Sequence, residues 1–176
     1  MTRIARALAA SVVAAFMTSV AIAALDARSA LAADALIVTH RVPSALALAA
    51  VGEAVKVCAA EGYTESAVLV DAGGNEQAGL RGDGAGLATL ENADHKAYTA
   101  VAYKVDTSAL VAKAKSGAEM SPALNRLPRL ILAPGGVVIV FNHEIVGAIG
   151  ASGSPFGAKD EACARAGAEK ITDSLK

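Results

Sequence analysis

Histidines and cysteines, the usual ligands of structural zinc, are few in this 176-residue chain and lie far apart. The histidines are His40, His95 and His143, and the cysteines are Cys58 and Cys163. No cysteine lies at zinc-ligand spacing from the other cysteine or from a histidine. The sequence therefore argues against a structural zinc site.

Two glycine-rich loops resemble ligand-binding motifs but differ from them at required positions. Residues 82–86 (GDGAG) lie between a predicted strand and a predicted helix, as a dinucleotide-binding loop does, but Leu87 occupies the place of its third glycine. Residues 71–82 begin like a calcium loop, but Glu76 replaces the glycine at the sixth position and Gly82 replaces the final glutamate. Nucleotide binding and calcium binding are therefore poorly supported.

Local sequence gives little support to a hydrolase site or to a histidine ligand. Ser152 does not lie in a Gly-x-Ser-x-Gly elbow. Asn142 and His143 stand where a hairpin would have a two-residue turn, and histidine is among the residues enriched at positive φ. We therefore predict a turn role for His143, and for His95 a position on a solvated helix face.

The first 32 residues have the pattern of an export signal. Arg3 and Arg6 form a basic start, residues 7–24 are apolar, and residues 30–32 (ALA) form a small-x-small cleavage site. An uncleaved membrane anchor is the alternative, because the apolar run is about long enough to span a bilayer. Cleavage would leave residues 33–176 as a single periplasmic or secreted domain with no stable membrane insertion.

The 144 residues beyond this segment are slightly acidic. They carry 13 basic and 16 acidic side chains, because the segment itself holds three arginines and one aspartate. No basic tract remains to follow a phosphate backbone, so nucleic acid is not an expected partner. In an oxidising compartment Cys58 and Cys163 could form a disulfide, or they could be separate buried groups on neighbouring helices; the sequence leaves both open.

Hydrophobic periodicity predicts an α+β domain with an N-terminal helix, a hairpin, a central helical pair, a second β block and a C-terminal helix. The predicted ranges are 43–61, 66–81, 87–104 with 106–115, 130–152 and 158–175. Hairpin connections imply an antiparallel sheet of about five strands with helices packed on it. Glycines 147, 150 and 153 are expected where a backbone, a helix or a ligand approaches the last strand closely.

Five motifs taken together resemble one family. They are residues 71–75 (DAGGN), 81–85 (RGDGA), 96–100 (KAYTA), 134–136 (PGG) and 147–153 (GAIGASG). The chain resembles the GlcG/HbpS-like (DUF336) family over nearly all of residues 33–176. The resemblance implies a profilin-like fold, frequent homo-oligomers and, in the best-described branch, haem binding outside the cytoplasm. The chain departs from the family at Val138, where a proline is usual, and at His143, where the hairpin glycine is usual.

The resemblance also implies a haem site on the second helix and the segment after it. Thr107 matches the threonine that the family places against the haem iron, so it is the implied iron ligand. Lys96 would neutralise a propionate, and Tyr98, beside Thr99, would stack on the haem or ligate it. Arg81 matches an arginine that precedes this helix, although an ion pair with the acid two residues later explains it equally well.

The leading hypothesis from this resemblance is an exported haem-binding protein that sequesters or senses haem. Its partners would be haem, a second copy of the chain, and a sensor kinase or a haem transporter. Cys-x-x-Cys-His is absent, so haem would bind without a covalent link. Alternatives are a haem-degrading enzyme, a glycolate-utilisation accessory enzyme, and an oligomeric signalling module without a small ligand; whether the chain is an enzyme stays open.

Overall fold

The computed structural model describes residues 38–175 as one sheet with helices on both faces. The helices are α1 (Ser44–Ala60), α2 (Thr89–Tyr103), α3 (Thr107–Lys115) and α4 (Gly157–Thr172), and a 3₁₀ turn spans Pro122–Asn125. The strands are β1 (Ser66–Asp71), β2 (Glu76–Arg81), β3 (Gly136–Phe141) and β4 (Glu144–Ser152). The export signal expected over residues 1–32 lies outside the described residues. Within residues 38–175, no helix has the length and apolar character needed to cross a bilayer.

The sheet is antiparallel throughout, with the strand order β2-β1-β4-β3. It confirms the α+β fold class, but it has four strands rather than the predicted five or so. The stretch from Leu130 to Ala133 is irregular because its hydrogen-bonding groups have other uses. The Ile131 amide donates to Thr99 Oγ1 at 2.9 Å, and Pro134 has no amide hydrogen to give to a ladder.

The two central strands are buried because both faces of the sheet are covered. On β1, Ala67 and Leu69 point towards the core beneath α1 and α4, whereas Val68 and Val70 point towards α2. This arrangement explains why β1 is a continuous apolar run instead of an alternating one. Strands β2 and β3 form the two edges of the sheet.

Helix α2 lies directly on the backbone of β4 and β3. A β-carbon at Gly150 would overlap the Ala93 carbonyl oxygen, and one at Gly136 would overlap the Lys96 carbonyl oxygen. The glycines at these two positions therefore let a helix approach the strands, and at Gly150 the helix is one of the neighbours that the sequence predicted.

A disulfide joins Cys58 of α1 to Cys163 of α4, so the structure selects the bridged alternative. Both cysteines are fully buried in the core beneath these helices. The bridge spans a sequence separation of 105 residues. In chain-entropy terms a loop of that size stabilises a fold by at most about 4 to 5 kcal/mol.

The close approach of α2 predicts opposite effects for two glycine-to-alanine substitutions. Gly150→Ala should lower the free energy of unfolding by about 2–3 kcal/mol, because the new methyl group must displace the α2 backbone. Gly52→Ala, in α1, meets nothing within 4 Å and should raise it by about 0.5–1 kcal/mol. Urea denaturation of both variants measures these changes. Equal stabilities for Gly150→Ala and the unchanged protein would mean that α2 does not contact β4 as described.

Candidate functional site

Lys96 is held inside the protein by an ion pair. It projects from the buried face of α2, is 4% exposed, and its Nζ donates to Asp160 Oδ2 at 2.5 Å and to the Ala151 carbonyl at 3.0 Å. Gly135 lies against the lysine stem, where a β-carbon would approach its Cδ to 2.9 Å. Lys96 thus ties α2 to the end of β4 and to the first turn of α4, and its charge is already neutralised.

A second carboxyl lies beside this ion pair without a donor of its own. Glu65 is 1% exposed, and neither of its carboxyl oxygens receives a hydrogen bond within the described residues. Burial raises the pKa of Glu65, the neighbouring Asp160 raises it further, and Lys96 lowers it, which together place it at about 8. With a pKa of about 8, Glu65 is mainly protonated at neutral pH, because burial and the nearby Asp160 both disfavour its charged form.

The two threonines of the predicted haem site are fully buried. Thr107 begins α3, and its Oγ1 accepts a hydrogen bond from the Gly136 amide at 2.9 Å. Thr99 Oγ1 donates to the His95 carbonyl at 2.7 Å and accepts from the Ile131 amide at 2.9 Å. In this structure both hydroxyls hold neighbouring backbone in place, α3 against β3 and the 130–133 segment against α2.

Tyr98 lies at the surface of α2 in a packed arrangement. The Arg129 guanidinium carbon stands 4.0 Å from the centre of its ring, and Arg129 is itself held by Asp94 at 2.8 Å and 3.1 Å. The ring edge packs on Gly74, where a β-carbon would approach within 2.7 Å. One face of Tyr98 is therefore taken by a cation, while its flank borders a small hollow of 90 Å³.

The turn between β1 and β2 that carries Gly74 is fixed by Asp71. Asp71 Oδ1 accepts hydrogen bonds from the Gly73 and Asn75 amides, each at 2.9 Å, and its other oxygen pairs with Arg41. Burial would raise the pKa of Asp71, but these hydrogen bonds, led by that from Arg41, lower it to about 2. The glycine-rich motif over residues 71–75 is thus a rigid turn that supports Tyr98.

Arg81 lies apart from the other predicted site residues. It is exposed at the end of β2, where its guanidinium donates to the Gly86 and Leu87 carbonyls. It fixes the loop before α2, as one interpretation of the sequence expected, but it does so through backbone carbonyls. Within residues 38–175 it forms no ion pair with Asp83.

An open cleft lies at the C-terminal end of α2. It measures 420 Å³ and is lined by Ala72, Val101, Lys104, His143, Glu144 and Ile145. The hollow beside Tyr98 adjoins it, because Ala72 and Val101 line both. The cleft thus combines apolar walls, an exposed lysine and an exposed histidine.

A separate crevice of 290 Å³ lies near Thr107, between α3 and α4. It is lined by Ser108, Pro134, Ala158, Glu161, Ala162 and Arg165. Its arginine is engaged, because Arg165 donates to Asp106 at 2.7 Å and to Glu161 at 3.1 Å. Hydrogen bonding to Asp106 raises the pKa of Arg165, so the guanidinium stays charged and paired with Asp106 and Glu161.

Several residues around these clefts have no local sequence signal. Glu65 precedes a strand, Lys104 ends a helix with φ of 56°, and Arg129 follows a proline in an irregular segment. Asp160 lies in the first turn of a helix, and nothing in the local sequence indicates that it pairs with Lys96. Their roles depend on contacts between elements far apart in sequence. By contrast, the turn at Asn142-His143 was predicted, and its φ values of 47° and 66° confirm it.

The buried carboxyl pair predicts an unusual pH dependence of stability. The pKa of Glu65 rises from its ordinary 4.5 to about 8 on folding, so the unfolded state loses this proton first and stability falls between those pH values. Glu65→Gln replaces the carboxyl with a neutral amide of similar size that cannot ionise, so it removes the penalty for burying a charge. It should raise the free energy of unfolding by about 2–3 kcal/mol at pH 8, with little effect at pH 4.5.

Urea unfolding across pH 4.5–9 measures this difference. Glu169→Gln, on the exposed face of α4, is the matched control and should follow the unchanged protein. Parallel pH profiles for Glu65→Gln and the unchanged protein would contradict the raised pKa of Glu65.

Comparison with known proteins places the fold. Residues 42–169 match the family described as haem degrading protein HbpS-like. A crystal structure of an HbpS double mutant from Streptomyces reticuli is similar with a TM-score of 0.71 and 32% identity, over 81% of this chain and 92% of that chain. A structure titled as a PduOC:heme complex has a TM-score of 0.69 and 25% identity, over 75% of this chain and 96% of that chain.

A third structure agrees with this fold. Klebsiella pneumoniae protein ORFY, of family DUF336, has a TM-score of 0.72 and 23% identity, over 81% of this chain and 97% of that chain. No curated protein matches the chain significantly. Since the family match spans most of the chain and the HbpS structure exceeds 30% identity over most of its length, this chain belongs to the HbpS-like (DUF336) family.

Proposed function

We propose that this chain is an exported haem-binding protein that sequesters or senses haem. The observation that carries the proposal is the match of residues 42–169 to a family described by its action on haem. Similarity to a PduOC:heme complex adds support, because that fold holds haem in at least one related protein.

The donor set of the α2 cleft fits haem. Haem requires an apolar slot, a cation for its propionates and usually an axial donor such as histidine. Val101 and Ile145 form apolar wall, Lys104 is the cation, and His143 carries the imidazole. Bound haem would supply an iron centre with redox and small-ligand chemistry, while the chain's own residues would hold and orient it.

Thr107 stays a prediction as the iron ligand. The Thr107 side chain is fully buried, and its hydroxyl oxygen accepts a hydrogen bond from the Gly136 amide. Coordination of iron by this oxygen would compete with that hydrogen bond. Lys96 would likewise have to leave Asp160 before it could reach a propionate. Loading at this position therefore requires α3 to separate from β3.

The proposed location is the periplasm or the extracellular space. It rests on the basic start, the apolar run and the small-residue cleavage site of residues 1–32. The Cys58–Cys163 disulfide supports it, because such bridges persist in oxidising compartments.

The proposal also includes two kinds of protein partner. The chain forms a homo-oligomer, and a sensor kinase or a haem transporter is its receptor. The edge strands β2 and β3 can each accept another strand, and Leu80 and Val140 on them are 40% and 48% exposed. Leu48 on α1 and Phe156 before α4 are also exposed large apolar groups. These features offer surfaces for a second copy or a receptor.

Haem degradation is the second candidate, and the description of the family favours it. Degradation requires turnover, so the haem complex incubated with ascorbate and oxygen, with catalase present, should lose its Soret band and release iron that ferrozine can capture. A Soret band that persists under these conditions, with no iron released, would leave binding alone.

The direct test of the proposal is a titration of the purified protein with hemin. We expect a saturable Soret change at micromolar protein, because the cleft offers both apolar contact and an axial donor. The urea-unfolded protein is the control and should give no saturation. A Soret signal that grows without saturation in the folded protein as well would contradict haem binding.

A further inference from the structure

We propose that haem binds in the cleft at the C-terminal end of α2, with His143 as its axial donor and Lys104 as the partner of a propionate. The inference rests on the proposed haem-binding function and names the site within it. It places the iron outside the buried contacts of Thr107 and Lys96.

The first argument is the backbone conformation at His143. Asn142 and His143 both have positive φ, 47° and 66°, in the two-residue turn between β3 and β4. The second position of such a turn most often holds glycine, although histidine is among the residues that adopt this conformation. His143 is exposed and lines an open cleft, so its side chain is available to a ligand there.

The second argument is that the other imidazoles of the described residues have neighbours. His40 Nδ1 lies 2.6 Å from Glu144 Oε2, and His95 Nε2 lies 4.0 Å from Glu91 one helical turn away. The His143 side chain, by contrast, forms no hydrogen bond with any of residues 38–175. An imidazole is also a stronger iron ligand than the threonine hydroxyl that the family resemblance implied.

The third argument is the charge around the cleft. Lys104 is exposed and has no ion pair with any residue of the described part of the chain. Glu144 also lines the cleft, but hydrogen bonding from His40 holds the pKa of Glu144 below its usual value and occupies its carboxylate. Lys104 is therefore the group in the cleft that can attract a propionate.

The fourth argument is shape. The cleft measures 420 Å³, within the usual range for small-ligand sites, and the hollow beside Tyr98 extends it. Val101 and Ile145 provide apolar wall on the α2 and β4 sides. A flat ligand can lie along this wall with one edge towards solvent, which suits a protein that binds haem reversibly.

The key variant is His143→Gly, which creates the Asn-Gly sequence that this turn prefers. Thermal unfolding should therefore show a melting temperature equal to or higher than that of the unchanged protein. Hemin titration should show affinity reduced at least tenfold and a shifted Soret band, and free imidazole should restore the band position. Binding that weakens while the fold is retained separates ligation from structure.

Two further variants complete the design. Lys104→Gln should weaken binding of both hemin and iron-free protoporphyrin IX several-fold, whereas His143→Gly should weaken binding of hemin alone. His95→Gln is the matched histidine control and should change hemin affinity less than twofold.

The failures of the two proposals are distinguishable. Absence of saturable hemin binding by the unchanged protein would overturn the proposed function. Saturable binding whose spectrum is unaltered by His143→Gly but altered by Thr107→Val would overturn this inference and leave the function standing.

Discussion

The structure depends on the direct contact between the backbone of α2 and the backbones of β3 and β4. Gly136 and Gly150 permit it, since a β-carbon at either position would overlap an α2 carbonyl. The face of α2 that meets the sheet consists of small side chains, so the helix axis can lie close to the strands. The alanines on this face are Ala93, Ala97 and Ala100, and they pack on Val68, Val70 and Ala148. Small residues on both sides thus leave no slot for a ligand between α2 and the sheet, whereas an open cleft lies at the C-terminal end of the helix.

A buried ion pair reinforces this contact where Lys96 of α2 lies against Gly136 of β3. The Lys96 ammonium donates hydrogen bonds to Asp160 and to the Ala151 carbonyl, and the carboxyl of Glu65 lies beside this buried pair. Removing either Lys96 or Asp160 would leave the other as a buried charge without compensation, which is costly in a low-dielectric interior. The cluster therefore explains why the KAYTA motif contains a lysine without requiring that lysine to contact a ligand.

Most of the fold could be predicted from local patterns, whereas most of the site could not. Local sequence patterns predicted several elements correctly: the helices α1 and α4 from their apolar periodicity, and the turns at residues 71–75 and 142–143 from their turn-forming residues. The segment at 130–133 has strand-like residues, yet the Thr99 hydroxyl takes the Ile131 amide, a contact that no local pattern records. The same holds for the Cys58–Cys163 bridge and for Glu65 beside Asp160, which join distant parts of the chain.

The central proposal is that haem lies in the cleft at the C-terminal end of α2, next to His143, and not next to Thr107 at the start of α3. Amide NMR spectra of the protein with hemin and with diamagnetic gallium protoporphyrin IX test this claim most directly, because the ferric iron broadens signals near it. The account predicts broadening centred on residues 101–104 and 142–145. Broadening centred on residues 106–110 and 158–165 would contradict it.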